Sequence, residues 1–402
     1  MGSDKKYAGY RSYQYLEPGS DYRAFDLARE IGRVPPYIVP LSDAAEARAR
    51  RLLAENIVVS LHDHPSVMPK DVSEIFAYES SGREVTGYEG LSVSGMDAVF
   101  DNMTDGTGPI TSKMGWKWSD IVFDLGMRMC DIAHQTMLFK CERADDIVRA
   151  HRDGRIAIAF CLESATMIEN EVDRFDILYG LGVRMMGIVY SEANALGSGL
   201  KESRDGGLTH LGRQAVRRMN QLGMAIDVSH ASDQTCLDVM ETSCAPVFIT
   251  HAGARTLWDS PRMKPDNVLR SCADHGGLIG IEAAPHTTVT KRNPRHNLDS
   301  FMEHYEYCVD LVGPDHVAFG PDTLFGDHVQ LHHAFSAHMS IAQSRSQNKR
   351  EEDVEYVEGL ENPSETFPNI VRWMVQHSYS DDQIAQAIGG NALRVLREVW
   401  WA

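Results

Sequence analysis

The strongest constraint on this chain is a recurring unit in which a short apolar, β-rich run closes on a polar side chain and a helical stretch follows. "IAIAFCLE" closes on Glu163, "VRMMGIVY" on Tyr190, "MAIDVSH" on His230, "PVFITH" on His251 and "HVAFGPD" on Asp322. The earlier run "IVVSLHDH" closes on His62 and His64. "GLIGIEAAP" reads as a further strand without an obvious ligand. Segments such as "WSDIVFDLGMRMCDIAHQTMLF", "LTHLGRQAVRRMNQLG" and "SDQTCLDVMETS" carry helical spacing of apolar residues. Strands that are apolar along their whole length need cover on both faces, which a parallel sheet with intervening helices supplies. About eight such units fit the chain, so the expected fold is α/β: a (β/α)8 TIM-like barrel with an N-terminal extension and inserted loops. A doubly wound open sheet would need a glycine-rich phosphate turn after its first strand, and "HDHPSV" has none.

Around this frame, residues 1–50 read as a polar and aromatic strap, with "VPPYIVP" extended, leading into the first helix. Ser42 is placed to cap that helix, with Asp43 and Glu46 in its first turn and an end near Glu55. Residues 51–402 are expected to form the barrel and its C-terminal helices. "RADDIVRAHRDGR" predicts a short helix ending at Gly154, and 79–95 reads as a Gly- and Ser-rich loop.

A barrel gathers the C-terminal ends of its strands in one mouth. Each polar strand end has a plain structural explanation alone: a hydrogen-bonded histidine, or an acid capping the next helix. Together they follow one rule and would meet in space. In a strand, residues i and i+2 share a face, so His62 and His64 point together and Asp63 points away. A His-x-His pair, the carboxylate of Glu163, and His230 and His251 make a binuclear N/O site. Such a site suits two divalent metal ions, zinc first, with manganese or iron compatible. Asp322 sits where it could accept a proton from an activated water.

The net charge of −18 argues against nucleic acid and anionic membranes as partners. The first residues lack the apolar core of a signal peptide, and no run of ~18 apolar residues suggests a membrane span. The seven cysteines are scattered without a C-x-x-C pair, which suits reduced, mostly buried thiols and a cytoplasmic location.

At this point the sequence resembles the membrane (renal-type) dipeptidase family, peptidase family M19, within the amidohydrolase superfamily. The likeness is carried by "GGLTHLGRQAVRRMNQLGMAIDVSHAS", "APVFITHAGARTLWDSPRMKPDNVLR" and "VEGLENPSETFPNIVRWMVQHSYSDDQIAQAIGGNALRVL". It runs from about Ile57 to the C-terminus and leaves the first 50 residues uncovered. The resemblance implies that His62 and His64 bind the first metal, that Glu163 bridges both, and that His230 and His251 bind the second. It further implies that Asp322 handles the proton of the bridging water and that Arg262, in "DSPRMKPD", holds a substrate carboxylate. Two positions depart from the family. It usually has H-x-D where this chain has His62-Asp63-His64, and a histidine that polarises the scissile carbonyl where this chain has Tyr190.

The expected function is therefore hydrolysis of an amide bond, dipeptide-like or N-acyl amino acid-like, by a metal-bridged hydroxide. The substrate is a small, carboxylate-bearing molecule, and the resemblance implies a homo-oligomer. The alternative within the superfamily is another carbonyl substrate, such as a lactone or heterocyclic amide, or a decarboxylation. A metal-stabilised binding protein without turnover would not need Asp322. The stretch "LFGDHVQLHHAFSAHMSIAQSRSQNKREED" reads as an inserted lid or a contact with a partner chain. Its His328, His332, His333 and His338 are expected to line it or face solvent rather than bind metal.

Overall fold

The computed structural model describes residues 5–103, 117–338 and 354–400, with the backbone alone for 335–338. Its strands are β1 (Val59–Asp63), β2 (Ser66–Val67), β3 (Val85–Thr86), β4 (Ala98–Asn102), β5 (Leu138–Lys140), β6 (Ile156–Leu162), β7 (Val183–Gly187), β8 (Ala225–Asp227), β9 (Phe248–Ala252), β10 (Leu278–Ile281) and β11 (Val317–Phe319). Eight of them pair in the order β1-β4-β6-β7-β8-β9-β10-β11, every neighbour parallel. β5 adds on beside β6, and β2 and β3 form a small antiparallel pair. The two ends of the path meet through loop backbone. Asp322 N–H donates to His62 O at 2.9 Å, and His64 N–H donates to Thr323 O at 2.8 Å. The sheet is thus nearly closed into the expected barrel.

Alternation along β6 shows how the strands are buried on both faces. Ala157, Ala159 and Cys161 join Val59, Leu61, Ala98, Phe100, Ala225, Phe248 and Ala318 in one buried cluster drawn from around the barrel. Ile156, Ile158, Phe160 and Leu162 join the larger cluster shared with the surrounding helices. The inner cluster is rich in alanine because opposing strands leave little room, and the C-terminal helix Asn391–Val399 adds Ala392, Leu396 and the following Trp400 to it. Trp400 stacks on Phe100 with ring centroids 5.7 Å apart.

The first helix runs Asp43–Glu55, and Ser42 Oγ accepts from Ala45 N–H as its cap. The helix Ala144–Asp153 ends at Gly154, whose φ of 63° is left-handed. The N-terminal segment packs on the barrel through buried polar contacts: Lys5 Nζ meets Asp97 Oδ1 at 2.5 Å, and Tyr10 Oη donates to Asp131 Oδ1 at 2.7 Å.

Two elements differ from expectation. The stretch 79–95 is not a plain loop, because it contains β3 and the short helix Tyr88–Val93. Gly87 and Gly90 allow this: a Cβ on either would collide with the ring of Phe325. Tertiary packing rather than periodicity makes that helix. β4 also carries no sequence rhythm of its own, since its apolar core is three residues between Asp97 and Asp101.

Candidate metal centre

The register of β1 against β4 shifts between Ser60 and Asp63, an irregularity of the kind that re-aims side chains at a barrel rim. Beyond it, His62 and His64 turn their Nε2 atoms together, 3.3 Å apart. Asp63 does a separate task. Its Oδ1 accepts from Thr323 N–H at 2.8 Å and from Thr323 Oγ1 at 2.7 Å, which ties β1 to the loop carrying Asp322. Asp322 itself has φ 60°, a left-handed conformation rare outside glycine and held here by the bond to His62 O.

Glu163 leaves the end of β6 at the centre of this group. Its Oε1 lies 3.8 Å from His62 Nε2 and 3.6 Å from His64 Nε2. Its Oε2 lies 2.9 Å from His230 Nε2 and 3.7 Å from His251 Nε2. The latter two nitrogens are 3.0 Å apart. One carboxylate is therefore divided between two imidazole pairs. Gly187, at the end of β7, lets the Glu163 backbone come this close, because a Cβ there would overlap Glu163 O. Asp322 Oδ1 completes the first half, 3.1 Å from His64 Nε2 and 3.5 Å from His62 Nε2.

The outward nitrogens of the rings are engaged, which orients the inward ones. His64 Nδ1 donates to Asn102 O at 2.9 Å, leaving Nε2 with its lone pair toward the centre. His251 Nδ1 lies 2.7 Å from Thr250 Oγ1, whose hydroxyl donates to Asp227 Oδ2 at 2.8 Å. Ser191 Oγ lies 3.3 Å from His230 Nδ1, and the Asn102 side-chain amide lies 2.9 Å from His62 Nδ1. Asp227 also accepts from Ser229 N–H and Thr250 N–H, so it fixes the chain at both strand ends that deliver His230 and His251.

Burial holds His62 below the ordinary imidazole range and His230 and His251 well below it, which disfavours their cationic form. Burial alone would raise Asp322, but its contacts with His62 and His64 hold that carboxyl well below the usual range.

All the residues singled out from the sequence as metal ligands meet here, and Tyr190 and Arg262 lie beside them. Tyr190 stacks on His230, ring centroids 4.1 Å apart. Arg262, in the loop after β9, is not an isolated guanidinium. It forms a contact ion pair with Glu282, which is fully buried at the end of β10. Burial pushes the Glu282 carboxyl up to about 8, against the pull of Arg262. An oxygen of Glu282 lies within 4.8 Å of ligand atoms of both His251 and Asp322. The strand read as ending without an obvious ligand ends in an acid beside the centre, by the same rule that marked Glu163. Asn102, Asp227 and Glu282 are the polar groups the sequence reading passed over.

The inserted segment begins with a helix, His328–His338. His333 is exposed and His332 half-buried, but His328 turns inward, and burial pushes its imidazole down to about 4. His328 thus lines the inner side of the segment rather than facing solvent, because the helix starts directly after the loop that carries Asp322. The side chain of His338 and residues 339–353, where the rest of the expected lid falls, lie outside the described residues.

This fold and site define a (β/α)8-type barrel with a candidate metal centre at its mouth, and comparison with known proteins narrows the class. The sequence model of the membrane dipeptidase family (peptidase family M19) matches residues 122–355, more than half of the chain. The protein belongs to the membrane dipeptidase family, M19. A dipeptidase of Claviceps purpurea (strain 20.1), tcpJ, is 29% identical over 279 residues, covering 69% of this chain but 58% of the fungal protein. The chain therefore spans less than two thirds of that relative. Among solved structures, an amidohydrolase from Pseudomonas aeruginosa superposes with a TM-score of 0.72 at 24% identity, covering 88% of this chain and 99% of its own. The probable dipeptidase PvdM from the same organism gives 0.71 at 20% identity, covering 90% and 99%. These likenesses carry the fold. Among the described residues, no helix is long and apolar enough to cross a membrane.

Proposed function

We propose that this chain is a metal-dependent hydrolase that cleaves a small, peptide-like amide. The observation that carries the reading is the division of Glu163: Oε1 toward His62 and His64, Oε2 toward His230 and His251. The donor set fits two divalent cations, zinc first. Burial disfavours the cationic form of His62, His230 and His251, and the two acids offset positive charge. His62, His64 and Glu163 would hold one ion, and Glu163, His230 and His251 the other. Replacing the family's aspartate by His64 makes the first position less negative. When bound, such ions supply Lewis-acid polarisation of the scissile carbonyl and an activated water at neutral pH.

The chain's own residues do the rest. Asp322 Oδ1 lies at the first imidazole pair, where it takes the proton from the attacking water and returns it to the leaving amine nitrogen. Tyr190, stacked beside the second pair, donates its hydroxyl proton toward the carbonyl oxygen as charge develops there, a role the family gives to histidine. Burial of Glu163 and all four rings keeps bulk water from competing for these contacts.

The seven free cysteines support a reducing, cytoplasmic setting, and the family likeness supports a homo-oligomer. The deciding experiment measures bound metal and turnover of the zinc-loaded protein on dipeptides, N-acyl amino acids and lactones. Near two equivalents of metal with cleavage of at least one amide is expected. Hydrolysis confined to lactones would remove the amide reading, and no turnover at full metal load would remove the hydrolase.

A further inference from the structure

Arg262 and Glu282 sit beside the centre, and neither is needed to explain the division of Glu163 or the proton path of Asp322. Arg262 arrives on the loop after β9, and Glu282 follows β10. Glu282 has no side-chain exposure and Arg262 keeps 14%. Arg262 Nη2 contacts Glu282 Oε2, and Arg262 Nη1 donates to Ser229 O at 3.3 Å. Glu282 Oε1 has no hydrogen bond of full geometry among the described residues, although the Thr287 side chain lies near the carboxylate. An oxygen of Glu282 shares a 4.8 Å neighbourhood with ligand atoms of His251 and Asp322, so anything bound at the centre comes close to the pair.

Two opposite charges in contact largely cancel. A guanidinium already facing a carboxylate has little net field left to draw in a second one. The newcomer would also be desolvated next to Glu282 and Asp322, both of the same sign. What the pair offers instead is an N–H donor beside an open carboxylate acceptor. A carboxamide matches that edge, since its carbonyl accepts from Arg262 and its N–H donates to Glu282 Oε1.

We propose that Arg262 and Glu282 form a specificity-determining pair that selects substrates carrying a neutral carboxamide, rather than a free carboxylate, on the leaving-amine side of the scissile bond. Amidated dipeptides, or peptides that continue into a further amide, are the class it fits. This deepens the amide-hydrolase reading and rests on it, and it replaces the carboxylate-bearing substrate expected from the sequence.

The test compares alanyl-alanine with its C-terminal carboxamide on zinc-loaded wild type and Glu282→Gln, by calorimetric binding and by kcat/KM. Wild type is expected to prefer the carboxamide by at least about tenfold in both, the scale on which a hydrogen-bonding site discriminates. Glu282→Gln, with metal content unchanged, is expected to bind the free dipeptide at least about tenfold better than wild type, through KM rather than kcat. A wild type that binds the free dipeptide as well as the carboxamide overturns the proposal, and so does an unchanged preference in the variant. Loss of metal from Glu282→Gln also overturns it, because Glu282 would then be a metal ligand. Should the variant not fold, the wild-type comparison decides alone. If neither compound is cleaved yet the binding preference holds, the hydrolase reading falls and the pair stands; if neither binds, the pair falls.

Discussion

Glu163 Oε2 lies 2.9 Å from His230 Nε2, while the other oxygen of the same carboxylate faces His62 and His64. A single side chain thus couples two imidazole pairs that come from opposite halves of the barrel. Removing it should uncouple both, taking the shared carboxylate from each pair and leaving Asp322 as the acid at His62 and His64. Glu163→Ala is expected to retain less than half of the wild-type metal by elemental analysis. Its melting temperature should approach that of chelator-treated wild type, since a ligand that binds only the folded state stabilises it by mass action. Near-full metal in the variant would mean that the pairs bind independently.

Asp322 touches the same cluster at its edge, 3.1 Å from His64 Nε2. Four imidazoles and Glu163 remain as donors without its charge. Asp322→Asn keeps the shape and one acceptor oxygen but cannot take up a proton. Metal content should stay near wild type while kcat falls by at least ~10²-fold, the scale of lost general acid–base help. Equal turnover would take Asp322 out of the mechanism.

Tyr190 presents a neutral donor where the family has an imidazole. Tyr190→Phe preserves the ring stacked on His230 and deletes only the hydroxyl. The expected loss is about tenfold in kcat, corresponding to about 1.4 kcal/mol, with KM and metal content little changed. A variant as fast as wild type would assign carbonyl polarisation elsewhere.

How much of this was legible follows from what each residue's neighbours in sequence look like. Glu163, His230 and His251 stand at the ends of apolar runs, so the strand rule found them. Glu282 obeys the same rule after "GLIGI", but with no second polar ligand nearby it passed as a strand end. Asn102 was hidden because β4 offers only Ala-Val-Phe as an apolar signal between two aspartates. The helix Tyr88–Val93 exists through contact with Phe325, far along the chain, and local composition cannot show that. The partner of Arg262 was invisible for a related reason, since a guanidinium reads the same in sequence whether a buried acid faces it or not.

Asp227 lies within 4.8 Å of ligand atoms of His62 and His251, and it holds the two turns that deliver His230 and His251. It accepts from Ser229 N–H at 3.1 Å, Ser229 Oγ at 2.6 Å, Thr250 N–H at 3.0 Å and Thr250 Oγ1 at 2.8 Å. In Asp227→Ala the hydroxyls can rotate to other acceptors, but the two buried amides cannot. At about 1–3 kcal/mol for each unsatisfied buried group, urea unfolding should show a loss of at least about 2 kcal/mol. Metal affinity should fall too, because Thr250 would no longer be oriented toward His251 Nδ1. Wild-type stability in the variant would show that the turns hold themselves.

The last expectation lies at the opposite end of the barrel, where Asp97 precedes β4. Asp97 is buried and accepts from Val58 N–H at 2.9 Å, Lys5 Nζ lies 2.5 Å from its Oδ1, and His151 Nδ1 lies 3.0 Å from its Oδ2. The bond to Asp97 raises the His151 pKa above its ordinary value, with partial burial and Lys5 pulling the other way. The folded protein therefore binds this proton more tightly than the unfolded chain does. The stabilisation is complete below the unfolded histidine pKa of about 6.5 and is lost as pH rises through the higher folded value. Urea unfolding of wild type and His151→Ala should differ most below pH about 6.5 and converge as pH rises through the higher folded value, above which the wild-type imidazole is neutral in both states. Activity at the metal end should be unaffected at either pH. A gap that widens with pH would mean that the neutral ring, held by packing, is what His151 contributes.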